Sequence, residues 1–162
     1  MKHSLSQNQF ARRMEASSGK FYRLAYCYVK KEHDALEIIS EATYRGLIHL
    51  GRLENPEYFD TWMSRIIINC AYDYLKKQGK YQYTEPDDTL PAPDTDFSVD
   101  DRLDLYQALD TLSADERSLI ILKYFDEKSF REIADILNIP ESTAKTRLYH
   151  SLNRLKSLYQ EA

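Results

Sequence analysis

The twenty residues from Ser129 to Leu148, SFREIADILNIPESTAKTRL, leave this chain little choice of local structure. Ser129 and Glu132 form a capping box, in which the hydroxyl and the carboxylate serve backbone N–H groups that lack a helical partner. Ile133, Ala134, Ile136 and Leu137 then repeat at helical spacing. Asn138 tolerates the left-handed conformation that stops a helix. Pro140 suits the first turn of a following helix. That second helix carries Ala144, Leu148, Leu152, Leu155 and Leu158 on one face. Ala134 is small where two helices must approach closely, and Ile139 can plug the turn into the core. A short helix, a tight turn and a longer helix make a helix-turn-helix.

With Ala144 and Leu148 turned inward, Ser142, Thr143, Lys145, Thr146, Tyr149 and His150 lie outward. These are hydrogen-bonding, cationic and planar groups near the start of the second helix, where such motifs touch base edges. Arg147, Arg154 and Lys156 can pair with phosphates. The same patterning also fits a helical hairpin with a solvated polar face, and the acids Glu132, Asp135 and Glu141 make the patch only weakly basic. Upstream, Leu103, Leu105, Leu109 and Leu112 start a helix expected to end near Thr111. Ser113 and Glu116 form another capping box, before a helix bearing Leu119, Ile120, Leu122 and Tyr124.

The first half is helical too. Phe21, Leu24, Ala25 and Tyr28 fall at helical spacing, as do Ala35, Ile38, Ile39 and Ala42. Phe59, Trp62, Met63, Ile66, Ile67, Cys70, Ala71, Tyr74 and Leu75 form a continuous stripe. Gly51 to Pro56 separates the second helix from the third. Gly79, after Lys76 and Lys77, marks a helix end with cations suited to the macrodipole. Only 4 Gly and 5 Pro occur in 162 residues, too few for a many-turned β-sandwich. The expected fold is therefore all-α. Two small helical domains, residues 1–79 and 102–162, are joined by a flexible acidic linker over 80–101. The linker holds three prolines and seven acids and little apolar periodicity.

The net charge of −4 is thus concentrated in the middle, while residues 1–80 carry thirteen bases against nine acids. Cys27 and Cys70 sit in apolar helical contexts, and no metal site is expected. His3, His33, His49 and His150 are scattered with no carboxylate pair, phosphate loop or nucleophile motif, so neither an enzyme nor a cofactor site is expected. The start lacks the apolar core of a signal peptide. No run nears the ~18 apolar residues that span a bilayer. A cytoplasmic chain, not itself membrane-embedded, is expected.

Several stretches resemble the extracytoplasmic-function sigma factors of the sigma-70 superfamily. The helix from Leu112 to Phe125 resembles the leucine-then-charged helix of their region 4, and Ser129–Leu148 resembles their helix-turn-helix. Asp34-Ala-Leu-Glu-Ile-Ile-Ser-Glu41 resembles region 2.2, and Trp62 to Lys77 resembles regions 2.3 and 2.4. The resemblance covers about residues 17–158.

It implies a protein that binds core RNA polymerase, carries it to particular promoter DNA and helps open the duplex. The implied contacts to the −35 element are Ser142, Thr143, Lys145, Thr146, Arg147, Tyr149 and His150. His150 stands where a base is common, and Asn138 where glycine is common. For the −10 element, a flipped base enters a pocket near the loop Gly51–Pro56. Asn55 and Asn69 are the implied base readers, and Lys76 and Lys77 the phosphate contacts. Asn69 also reads as a satisfied polar residue at a helix boundary. Tyr58 and Trp62 could stack on bases, although Trp62 falls on the apolar stripe and reads as core.

Asp34, Glu37, Ile38 and Glu41 form the implied polymerase-binding face, which otherwise reads as a solvated acidic face. Ser40 replaces a common glutamine there. The resemblance further implies control by an anti-sigma factor. The alternative is a helix-turn-helix transcriptional regulator that acts without being a polymerase subunit.

Overall fold

In the computed structural model of the chain, residues 4–81 and 106–160 are described, with side chains through Ser157. These residues are helical, and no strand occurs among them. The chain divides into two compact units, Met1–Lys80 and Tyr81–Ala162. Leu103, Leu105, the side chain of Leu158 and all but the first two residues of the expected linker lie outside the described residues.

The first unit opens with a helix that the apolar periodicity does not signal, α1 (Gln7–Ala16). Phe10 is its buried residue, so it has no stripe to detect. Its start is nonetheless marked in sequence. The Ser6 hydroxyl accepts the Gln9 N–H at 3.2 Å, and the Gln9 amide oxygen accepts the Ser6 N–H at 2.8 Å. Helix α2 (Ser18–Val29) follows and stops at Lys30, which adopts the left-handed conformation. Helix α3 (Glu32–Ile48) leads into two 3-10 turns, Leu50–Arg52 and Pro56–Tyr58, and then α4 (Phe59–Lys77).

Gly79 ends α4 as expected, at φ 66°. Its N–H donates to the Lys76 carbonyl at 3.1 Å and the Lys80 N–H to the Leu75 carbonyl at 2.8 Å, the paired bonds of a Schellman motif.

Helices α2, α3 and α4 pack against one another. Phe59 lies at a focus of this core, with ring centroids 6.0 Å from Phe10 and 6.1 Å from Phe21. Burying one such ring contributes about 1.5–3 kcal/mol. Gly46 lets α1 and α4 close on α3, since a Cβ there would meet Met63 Sδ and Phe10 Cζ, each at 3.1 Å.

In the second unit, residues 106–108 are helical and the 3-10 turn Leu109–Thr111 ends the element at the expected place. Ser113 and Glu116 form the expected box at the start of α5 (Ala114–Ile120). The helix then widens into a π turn, Ile121–Phe125. Leu119, Ile120, Ile121 and Leu122 are all buried. A regular α-helix spreads four successive residues around most of its circumference, and the wider turn eases this. Helices α6 (Phe130–Leu137) and α7 (Glu141–Gln160) complete the unit and pack on each other and on the residues before them.

Candidate nucleic-acid interfaces

The turn between α6 and α7 is built as its residues dictate. Asn138 sits at φ 55°, and the Ile139 N–H donates to the Ala134 carbonyl at 3.0 Å. Pro140 lies one residue ahead of α7, where its carbonyl accepts the Ala144 N–H at 3.0 Å. Ala144, Leu148, Leu152 and Leu155 are buried, which fixes the rotation of α7. Ser142 and Lys145 are then exposed, and Thr143, Thr146, Arg147, Tyr149 and His150 half-buried. From Ser142 to His150 is about 12 Å of helix, close to the width of a major groove.

Side chains of this face are partly engaged within the protein, Tyr149 and Arg154 among them. The Tyr149 ring meets Phe130 edge-on at 6.2 Å, and Lys123 Nζ covers the other partner of that pair, 4.3 Å from the Phe130 centroid. Arg154 is hydrogen-bonded and ion-paired with Glu116, so the capping carboxylate of α5 also holds α7. Asn153 is exposed on the same outer face, three positions beyond His150, and was not singled out from sequence. The i, i+3 rule would have found it.

A second surface lies on α4. Trp62, Arg65, Asn69 and Lys76 recur at i, i+3, i+7 and i+14, opposite the buried Met63, Ile67, Ala71 and Leu75. Two expectations are corrected here. Trp62 is half-buried at the rim of this stripe, not in the core, because the core face of α4 is centred on the Met63–Ile67 side. Asn69 is exposed in the middle of α4, not at a helix boundary. Arg65 was not singled out from sequence, though its spacing to Asn69 and Lys76 carries the signal. Lys76 and Lys77 are exposed in the last turn.

The loop ahead of α4 is tightly held. Leu53 is buried. Asn55 caps the second 3-10 turn, its Oδ1 accepting the Glu57 N–H at 3.0 Å, which leaves its amide N–H groups for other partners. Lys20 of α2 pairs with Asp60 at 2.5 Å and pins the start of α4. From Phe59 to Asn69 is about 15 Å of helix, which separates the loop from the middle of the stripe.

The acidic face of α3 is partly satisfied internally. Asp34 accepts from the Tyr74 hydroxyl at 2.5 Å. That bond is the largest cause holding the Tyr74 phenol up at about 12. Glu37 lies 3.2 Å from His33, and Glu41 3.0 Å from Arg45, which also reaches Asp73 at 3.0 Å. Ile38 is a correction: it is 1% exposed and belongs to the core, so it does not form part of an outer face. The apolar residues that α3 does expose are Leu36, Tyr44, Leu47 and Ile48. They fall off the Ala35–Ile38–Ala42 stripe, which is the signal that marks them.

Cys27 and Cys70 are buried and unbridged, and burial pushes the Cys70 thiol up to about 11. Among the described residues there is no His, Cys, Asp or Glu group able to hold a metal ion. No described helix is long and apolar enough to cross a membrane.

Comparison with known proteins bears on these surfaces. The family description "Sigma-70 region 2" matches residues 14–81 and "Sigma-70, region 4" residues 102–155. The chain is 36% identical over 138 residues to the RNA polymerase sigma factor SigV of Bacillus subtilis, covering 84% of this chain and 82% of that protein. It is 30% identical over 166 residues to the ECF RNA polymerase sigma factor SigW of the same organism, covering 93% and 88%. In fold it is similar to the sigma factor RpoE solved with the anti-sigma factor NepR from Bartonella quintana. There the TM-score is 0.67 at 22% identity, over 93% of this chain and 96% of the other.

Proposed function

The chain belongs to the extracytoplasmic-function sigma factors of the sigma-70 family, and from that premise we propose how its two units divide the work. It is an alternative sigma factor that binds core RNA polymerase in the cytoplasm and directs initiation at its own promoters. It serves as an initiation factor and supplies no catalytic group of its own. Residues 1–79 serve as region 2 and residues 102–162 as region 4, with 80–101 between them.

One observation carries the reading. The outer stripe of α4 sets an aromatic ring, a guanidinium, an amide and an ammonium, Trp62, Arg65, Asn69 and Lys76, on one face beside a capped loop. Such a combination suits unstacked bases on a charged strand. A regulator that reads only duplex DNA has no use for it. Flipping a base costs a few kcal/mol, which stacking and amide hydrogen bonds at this surface offset. Asn55 reads from the loop, and Lys76 and Lys77 hold phosphates. On α7, Ser142, Thr143, Lys145, Thr146 and Tyr149 face the −35 base edges, flanked by Arg147 and His150. Affinity is shared with the polymerase, so the weak basicity of this helix is no obstacle.

Core polymerase docks on α3. Asp34, Glu37 and Glu41 supply charge, and the exposed Leu36, Tyr44, Leu47 and Ile48 supply the apolar area that Ile38 cannot. An anti-sigma factor holds the protein inactive. The support is the fold shared with RpoE, whose solved structure contains one.

The test is transcription from a randomised promoter library with purified core polymerase. Initiation should require this chain and select paired upstream and downstream elements. Initiation that is independent of the chain, or indifferent to sequence, overturns the reading.

A further inference from the structure

Helix α1 contributes one buried side chain to the core, Phe10, and beside it makes a polar contact to the loop ahead of α4. Phe10 packs edge-on against Phe59 at the start of α4. One turn later, Arg13 Nη1 donates to the Pro56 carbonyl at 2.6 Å, and its guanidinium carbon lies 5.8 Å from the Phe59 ring centroid. The Pro56 carbonyl is also the acceptor of the Phe59 N–H that closes the 3-10 turn. Asn55 precedes this carbonyl and caps the turn, and Tyr58, two residues beyond it, is 42% exposed. The loop's own ties, the Asn55 cap and the Leu53 anchor, fix its shape. Arg13 fixes where that shape sits relative to α1.

We infer that Arg13 is a positioning residue for base reading. It holds the Pro56 carbonyl, and with it Asn55 and Tyr58, in register with the Trp62–Asn69 stripe, and it does so without touching DNA. A charged, bidentate-capable donor suits this task, because one guanidinium can bond the carbonyl and lie over the aromatic ring together. The inference rests on the single-strand reading of this loop and of α4.

The test uses holoenzyme assembled from the full chain. Its probes are fork-junction DNAs with a single-stranded non-template −10 segment, carrying each base in turn at each position. The readout is the ratio of affinities between the best and worst base. Arg13→Ala is expected to lower the largest ratio by about tenfold, the loss that goes with one charge-assisted hydrogen bond. Arg13→Lys, which keeps a charged donor but not the planar stack, is expected to recover part of it. Weakening of all probes alike, with the ratio unchanged, would show a loss of fold or of general affinity and not of base reading, and it counts against the inference. Undiminished discrimination in Arg13→Ala overturns the inference. If the unsubstituted protein discriminates at no position, the interface reading itself fails and takes the inference with it.

Discussion

The Tyr74 hydroxyl of α4 donates to the Asp34 carboxylate of α3 at 2.5 Å, across forty residues of sequence. The bond ties the proposed polymerase-binding face to the helix proposed to read the open strand. It also has a signature in pH. The Tyr74 phenol is raised from 10.0 to about 12, first by this hydrogen bond and then by desolvation and the nearby acids.

Because the folded state holds that proton more tightly, its stabilising contribution is complete below pH 10. It is lost between about 10 and about 12, where the unfolded chain releases the proton first. Tyr74→Phe is expected to flatten this part of the stability profile relative to the unsubstituted protein. Urea unfolding at several pH values checks this. Parallel profiles would show that the bond does not form in solution.

Ile38 and Leu36 stand two residues apart on α3 with opposite roles. Ile38→Ala should cost about 2–5 kcal/mol of stability, since it opens a cavity in a core position that is 1% exposed. Leu36→Ala should change stability by less than about 0.5 kcal/mol, because Leu36 is 51% exposed. It should instead weaken binding to core polymerase. Denaturation midpoints and a binding titration separate the two.

Lys145 and Arg154 are both cations of α7, but Arg154 is bound to Glu116. Lys145→Ala should reduce the salt slope of −35 duplex binding by about one and blur base choice beside it. Arg154→Ala should leave base choice intact and lower the midpoint of unfolding instead, by releasing α7 from α5. Selection of an unchanged upstream element by Lys145→Ala protein would remove this residue from the interface.

Gly46→Ala tests packing against propensity. The substitution gains roughly 1 kcal/mol of helix propensity. The new Cβ, however, meets Met63 and Phe10 at 3.1 Å, and both are buried. Overpacking of this kind costs about 1–3 kcal/mol. A net loss of about 1 kcal/mol is expected in chemical denaturation, together with looser anchoring of α1.

The cysteines should be inert. Burial raises the Cys70 thiol to about 11, and Cys27 is also buried. Neither should react with a thiol reagent at neutral pH until the protein is unfolded, when two thiols should appear.

What the sequence determined by itself is local. Capping boxes at Ser113 and Ser129, the left-handed stop at Asn138 and the glycine end of α4 involve groups within a few residues of each other, so their spacing alone carries them. The box at Ser6 was equally legible, but with one buried residue behind it α1 has no periodicity to draw attention to it. The tertiary structure decided which face of each helix meets its neighbours. Ile38 goes inward and Leu36 outward, Trp62 reaches the rim, and Arg13 finds a carbonyl forty-three residues away. An apolar stripe gives the approximate centre of a buried face. Its edges are set by where the partner helices lie, and those contacts exist only once distant segments have packed.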